Sequence, residues 1–234
     1  MTTLRTLVLL SLATSVLHAS DIEGVVVVKH KLTKRKITSA ANAYERGVVA
    51  GSETAADSKE DPLAFERSHV VVYLEGNLPS RAAAAPVVAM EQENHRFLPD
   101  LLVIAAGSTV SFPNRDPIFH NVFSLSKPKS FDLGNYPKDQ TRLVTFNKAG
   151  VVFVNCHLHP NMAATILVTP NQWGTRAGLD GKFVLPHVPP GKYTLVAWHK
   201  SAGFFRKEVQ VTEKGLAGIE FLIPLDDTIR AEVE

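Results

Sequence analysis

Four side chains near the middle of the sequence could bind one metal ion. Cys156, His159 and Met162 follow one another at intervals of three residues in the segment NCHLHPNM. A fourth candidate, His120, lies upstream in the segment FPNRDPIFHNVFS. Two imidazoles and a thiolate, with a thioether as a weaker ligand, are the set that holds copper in blue-copper electron-transfer sites. Soft sulfur ligands stabilise Cu(I) and imidazole also suits Cu(II), so the four residues predict one redox-active copper ion.

Three neighbouring residues are expected to support this site. Asn121 follows the first histidine and could hydrogen-bond to the Cys156 loop, which would join the two ligand segments. Pro160 stiffens that loop and removes a backbone donor. His157 directly follows the cysteine, where it could alter the hydrogen bonding of the sulfur or offer copper a further imidazole.

Each candidate ligand also has an ordinary structural interpretation. A single cysteine is often a buried core residue, and a single methionine often fills a gap in packing. Because the chain has only one cysteine, an intramolecular disulfide is excluded. The combination of Cys, His and Met at ligand spacing favours copper over these alternatives. The remaining histidines of interest are expected to be solvated: His30, His69, His95, His187 and His199.

Short strands separated by turn signals predict an all-β fold. In the middle of the chain we expect strands at 87–91, 101–105, 108–112, 119–124, 141–146, 150–155 and 164–169, with a turn at Gly134-Asn135. Strands at this spacing are typical of a sandwich or barrel. Further strands are expected at 22–28, 69–74, 182–185, 192–198, 205–212 and 218–223, a loop at 51–62 and a linker at 81–86.

The two ends of the chain each have too few strands to enclose a core alone. Residues 21–84 and 171–234 could together form one sandwich, with a domain at 85–170 inserted into a loop. The alternative is two unrelated β units packed side by side. The net charge of +2, from 25 basic and 23 acidic residues, gives no strong attraction to nucleic acid.

Residues 1–20 have the pattern of a cleaved secretory signal. Arg5 provides a positive start, residues 7–17 are mainly apolar, and small residues precede Asp21. A buried N-terminal helix is the alternative. We therefore expect export to the periplasm, and the remaining sequence has no segment suited to crossing a bilayer.

Residues 87–169 resemble a small cupredoxin, and the C-x2-H-x2-M loop followed by Ala-Ala-Thr is similar to that of the amicyanin and plastocyanin group. The wider chain resembles a bacterial family of methylamine utilization proteins, through FPNRDPIFHNVFS, FDLG, VVFVNCHLHPNM and DGKFVLPHVPPGKYTLVAWH. The last of these segments is similar to a carboxypeptidase regulatory-like, transthyretin-type repeat. The resemblance implies a Greek-key cupredoxin sandwich with a second transthyretin- or Ig-like sandwich. It also implies copper ligands at His120, Cys156, His159 and Met162; His157 departs from the usual pattern.

Several functions are compatible with this copper set. We expect an electron carrier rather than an enzyme, exchanging electrons with a periplasmic redox protein such as a c-type cytochrome or a dehydrogenase. A copper chaperone or resistance protein could use the same ligands, although such sites are usually richer in exposed Met and His. The chain could also be a β-sandwich binding module with a non-redox cupredoxin, in which Trp173, Tyr193 and Trp198 form an aromatic platform, although side chains at such strand spacing are more often core residues.

Overall fold

A computed structural model describes residues 20–33, 61–78 and 87–224. In chain order its elements are β1 (Ser20–Val28), α1 (Ala64–Ser68), β2 (Val71–Glu75), β3 (Val88–Ala89), β4 (Glu91–Glu93), β5 (Arg96–Leu98), β6 (Leu101–Ala105), β7 (Ser108–Pro113), β8 (His120–Ser126), β9 (Lys129–Tyr136), β10 (Thr141–Phe146), β11 (Gly150–Asn155), β12 (Ala163–Thr169), β13 (Gly174–Arg176), β14 (Lys182–Val188), β15 (Gly191–His199), β16 (Gly203–Val211) and β17 (Leu216–Ile223). Apart from the short helix α1, the regular secondary structure of the described part consists of strands, so the predicted all-β class is confirmed.

Some sequence predictions concern residues that lie outside the described ones. These are the signal segment, which falls almost wholly within residues 1–19, most of the loop at 51–62 and the linker at 81–86. Among the described residues, no helix is long and apolar enough to cross a membrane.

The middle of the chain forms a β-sandwich around one apolar core. One sheet has five strands in the order β6-β12-β11-β8-β9, and the other has three in the order β10-β7-β3. Side chains from both sheets meet in a single buried cluster, which also contains Cys156 and Met162. The alternating burial along β7 and β10 follows from the two-residue period of a strand, which turns every second side chain toward the core.

A strand over 129–136 was not expected, because Gly134-Asn135 has the composition of a turn. In the structure Gly134 has φ +66° inside β9, which pairs with β8 along its length. The register shifts between Asn121 and Phe123, so that β9 carries one extra residue there. The glycine therefore serves a β-bulge and not a chain reversal. β9 completes the edge of the sheet beside the first predicted ligand.

Strands from both ends of the described chain share a second sandwich. β1 pairs with β14 and with β17, while β2 pairs with β13 and β15. Their inward side chains form one buried cluster that includes Ile22, Val72 and Phe221. The two sandwiches meet through a smaller buried cluster that contains Leu101, Leu167 and Trp198. The domain boundaries themselves and the transthyretin-like assignment stay predictions.

The proposed aromatic recognition surface is not formed. Trp173, Tyr193 and Trp198 are 6%, 6% and 4% exposed, and each lies in a buried cluster. The indole nitrogen of Trp173 donates to the backbone oxygen of Pro186 at 3.1 Å. These side chains are core residues, because burying large aromatic rings stabilises the sandwich.

The strand β1 packs so closely at Gly24 that an added methyl group would collide with its neighbours. A Cβ at this position would lie 2.5 Å from the backbone oxygen of Ile219 and 2.5 Å from the ring of Phe183. We expect Gly24→Ala to lower the free energy of unfolding by about 1–3 kcal/mol, the usual effect of overpacking a core. Urea unfolding followed by tryptophan fluorescence measures this change.

A matched control for this substitution is Gly178→Ala. The nearest neighbour of an added Cβ there is the carboxylate oxygen of Asp180, the end of an exposed side chain that can move. We expect little change in its unfolding midpoint. Equal midpoints for the two variants would contradict the close packing of β1.

Candidate metal centre

The candidate ligands are brought together by two neighbouring strands and the loop between β11 and β12. His120 is the first residue of β8, and β8 lies beside β11, where Phe123 pairs with Asn155. The loop after β11 is closed by two backbone hydrogen bonds. The nitrogen of Cys156 donates to the oxygen of Met162 at 3.2 Å, and the nitrogen of Met162 donates to the oxygen of His159 at 2.9 Å. The tight loop therefore presents its side chains next to His120.

Three of the predicted ligand atoms form a compact triangle. The Nδ1 atoms of His120 and His159 are 3.1 Å apart, and the Sγ atom of Cys156 is 4.0 Å and 3.6 Å from them. Atoms bound to one first-row metal ion at about 2.0–2.3 Å lie roughly 3–4 Å from one another. Among the described residues this is the one group of three or more His, Cys, Asp or Glu side chains with metal-ligand spacing. The two imidazoles and the thiol therefore fit a copper ion.

The ligand set is buried except at one edge. His120 is 0% exposed and Cys156 is 4% exposed, whereas His159 is partly exposed. Met162 is 2% exposed and belongs to the same buried cluster as Cys156. The fourth predicted ligand thus lies in the loop and core that surround the triangle. Its role as an axial ligand stays a prediction.

Asn121 joins the two ligand segments through both its backbone and its side chain. Its backbone nitrogen donates to the Sγ atom of Cys156 at 3.4 Å. Its amide oxygen accepts a hydrogen bond from the backbone nitrogen of His157 at 3.4 Å, and its amide nitrogen donates to Asp132 at 2.7 Å. These bonds fix the cysteine loop relative to β8. A hydrogen bond from a backbone nitrogen to the sulfur also helps to orient the sulfur.

The side chain of His157 lies outside the triangle. Its ring stacks on Phe123, with centroids 3.6 Å apart and planes 4° from parallel, and its Nε2 atom is 3.6 Å from Asp132. Pro160 is exposed within the turn between His159 and Met162. Neither residue is placed as a metal ligand in this structure.

Sequence reasoning missed the carboxylate that holds the first histidine. Asp116 is buried, and its Oδ2 atom lies 2.7 Å from Nε2 of His120. The backbone nitrogens of Asn94 and His95 donate to the same carboxylate at 2.7 Å and 3.0 Å. With Nε2 of His120 carrying the proton toward Asp116, Nδ1 is left free to bind metal. The sequence does place an aspartate four residues before His120. Because Asp116 and Asn114 occur in a segment whose composition is typical of a turn, they did not indicate a buried carboxylate.

The side chain of Asn114 holds the backbone of Asp116 and of the segment that leads into β8. Its side-chain oxygen accepts a hydrogen bond from the nitrogen of Asp116 at 2.9 Å. Its side-chain nitrogen donates to the backbone oxygens of Ile118 and Tyr136 at 2.8 Å and 3.1 Å. The fully buried amide therefore fixes the segment that leads into β8.

The protonation states of His159 and Asp116 at neutral pH favour binding of a cation at this site. Burial, followed by the nearby rings of His120 and His95, lowers the pKa of His159 below its ordinary value. Burial alone would raise the pKa of Asp116, but the hydrogen bonds from His95, His120 and Asn94 hold it below its usual range. At neutral pH the centre therefore combines a neutral His159 with a charged carboxylate behind His120.

The expectation that all five other histidines are solvated is wrong for His199. This ring is 2% exposed, and its Nε2 atom lies 3.2 Å from the buried carboxylate of Glu66. Its Nδ1 atom accepts a hydrogen bond from the nitrogen of Ser201 at 3.2 Å. The pair lies in the second sandwich. A buried imidazole of this kind needs partners, and one of them, Glu66, is distant from it in sequence.

Comparisons with known proteins find structural similarity at low sequence identity. No protein-family model and no curated protein matches this sequence. A reduced mutant of amicyanin shares 21% identity over 42% of this chain and 98% of that chain, with a TM-score of 0.34. A Cu-containing nitrite reductase from Thermus scotoductus shares 24% identity over 40% of this chain and 25% of that chain, with a TM-score of 0.35.

Proposed function

We propose that this protein carries single electrons by means of one copper ion bound to His120, Cys156 and His159, with Met162 as a weaker ligand. The triangle of Nδ1, Nδ1 and Sγ atoms, with sides of 3.1, 3.6 and 4.0 Å, is the observation that supports this most directly. When bound in such a set, copper supplies a Cu(II)/Cu(I) couple.

The surrounding residues suit electron transfer because they limit rearrangement of the ligands. His120 is fully buried and hydrogen-bonded to Asp116, while Cys156 is tied to β8 through Asn121. A ligand frame fixed in this way presents nearly one geometry to both oxidation states. Little reorganisation then accompanies each transfer, which is the requirement for a rapid carrier.

The partly exposed ring of His159 is the proposed point of electron exchange. Phe119 and Leu158, each adjacent in sequence to a ligand, are large apolar side chains that remain 56% and 44% exposed. Exposed apolar side chains of this size commonly belong to protein interaction sites. We propose a periplasmic redox protein, such as a c-type cytochrome or a dehydrogenase, as the partner, and a carrier rather than an enzyme as the role.

Copper delivery is the second candidate function. The exposed ring of His95 has its centroid 5.0 Å from that of His159, and the exposed His157 directly follows Cys156, as expected of a protein that accepts and releases the ion. The burial of His120, Cys156 and Met162 argues the other way, since a delivered ion must leave its ligands easily.

Two rates measured on the same copper-loaded protein separate these candidates. Line broadening in NMR spectra of mixed Cu(I) and Cu(II) samples gives the rate of electron exchange between molecules. Transfer of the ion to a strong chelator, followed by absorption, gives the rate of release. We expect fast electron exchange and slow release. Slow exchange together with rapid release would reject electron transfer in favour of delivery.

A further inference from the structure

A third imidazole stands beside the two histidine ligands, on a hairpin that is distant in sequence. β4 and β5 are joined by a two-residue turn formed by Asn94 and His95. Both residues have positive φ, 53° and 58°. Such turns favour Asn followed by Gly, because a side chain at the second position is strained in the left-handed region. Residues in sparsely populated backbone regions cluster at functional sites, so the side chain of His95 is a candidate for a function.

The ring of His95 is arranged around the same point as the ligand rings. Its centroid is 5.0 Å from that of His159 and 5.9 Å from that of His120, and the two ligand rings are 4.7 Å apart. Two imidazoles that share an ion through nitrogens at about 2.0–2.1 Å have centroids roughly 5–6 Å apart. His95 is thus within the distance at which it could share an ion with either ligand.

His95 differs from those candidate ligands in its exposure and in the distance of its ring nitrogens from the other donor atoms. It is exposed, whereas His120 is fully buried. It is not part of the group of donor atoms that lie within 4.8 Å of one another. The ring of His95 therefore lies on the solvent side of the triangle formed by His120, Cys156 and His159, and it is not part of that triangle.

The turn is held in place by the carboxylate that orients His120. Asp116 accepts hydrogen bonds from the backbone nitrogens of Asn94 and His95, and it lies 2.7 Å from the Nε2 atom of His120. One buried side chain therefore holds both the ring of His120 and the backbone of the turn that carries His95. The position of His95 relative to the centre is built into the fold.

We propose that His95 is the receiving ligand for copper, which binds an incoming Cu(II) ion and passes it to the triangle. This inference depends on the proposed copper site. The transfer is an exchange of ligands: the bond to His95 breaks, bonds to the two Nδ1 atoms and to Sγ form, and the thiol proton of Cys156 leaves to water. The oxidation state of the ion does not change in this step.

The rate of copper loading tests this role. Metal-free protein is mixed with one equivalent of Cu(II) in a stopped-flow instrument, and the rise of the thiolate-to-copper absorption band is followed. His95→Gly suits the backbone of the turn, so we expect it to fold normally and to reach the final spectrum of the wild type. Its loading should be slower by about tenfold or more, within the range by which residues around a metal site affect binding.

His187→Gly is the matched control. His187 is also exposed and also has positive φ, at 56°, but it lies in β14 of the second sandwich. This variant should load at the rate of the wild type. Equal rates for the wild type and His95→Gly would overturn the proposal, as would a changed final spectrum, which would make His95 a ligand of the finished site. A wild type that never develops the band would reject the copper site itself, and with it the loading role.

Discussion

Replacing Cys156 with serine should abolish the intense visible band of the copper-loaded protein. That band arises from charge transfer between thiolate sulfur and Cu(II), and a serine hydroxyl cannot supply it. The hydroxyl is also a harder ligand, so we expect the affinity for Cu(I) to fall by more than the roughly 10–100-fold typical of losing a supporting residue. Absorption spectroscopy and competition with a Cu(I) chelator measure the two effects.

A second variant separates the loss of sulfur from damage to the core. Ala164 lies in the same buried cluster as Cys156, and Ala164→Ser adds a hydroxyl there while the thiol remains. We expect this variant to keep the band. If Cys156→Ser also retained it, the sulfur could not be a ligand, and Cys156 would be only a core residue.

Replacing Asp116 with asparagine should raise the reduction potential and weaken copper binding. The carboxylate lies 2.7 Å from Nε2 of His120, and its low pKa keeps it charged at neutral pH. A negative charge behind an imidazole ligand favours Cu(II) over Cu(I). Across one ring in a buried site it contributes on the order of 1–2 kcal/mol. For one electron this corresponds to roughly 40–90 mV.

Glu91→Gln is the control for the lost charge. Glu91 lies in the same hairpin as His95, and its carboxylate pairs with Arg115 at 2.9 Å at the surface. Voltammetry of the two loaded variants should show a clear positive shift for Asp116→Asn and little shift for Glu91→Gln. We also expect about a 10–100-fold loss of copper affinity in the first variant alone. Equal potentials in the two variants would exclude a specific role for Asp116.

The clustering of the candidate ligands could be predicted because three of them are close in sequence, while their binding of copper stays a prediction. Cys156, His159 and Met162 occur within one loop, and the flanking β-branched residues indicate strands on both sides. The position of His120 followed from its place at the start of another predicted strand. When candidate metal ligands are close together in sequence, their residue types and spacing can be recognised without a structure.

The supporting residues could not be predicted because they meet only in the folded chain. Asp116 contacts a turn 21 residues earlier, through the nitrogen of His95. The buried pair of Glu66 and His199 likewise joins two distant parts of the sequence, because Glu66 lies in α1 and His199 at the end of β15. Hydrophobic periodicity predicts which face of a strand is buried, but it does not predict which polar groups are paired across the core.

The missed strand β9 has a different cause. Gly134-Asn135 is a composition typical of turns, and only the pairing with β8 shows that the positive φ of Gly134 forms a bulge. The general all-β character was predictable from short β-branched runs. Sheet order depended on contacts between strands from opposite ends of the described chain, such as the pairing of β1 with β17.

An absorption spectrum shows most directly whether His120, Cys156 and His159 hold one redox-active copper ion. The purified chain is titrated with Cu(II) to one equivalent, reduced, and reoxidised over several cycles. We predict an intense blue or green band that saturates at one copper per chain, disappears on reduction and returns fully on oxidation. A chain that remains colourless with Cu(II) at every ratio would show that these three residues do not form a redox-active copper site.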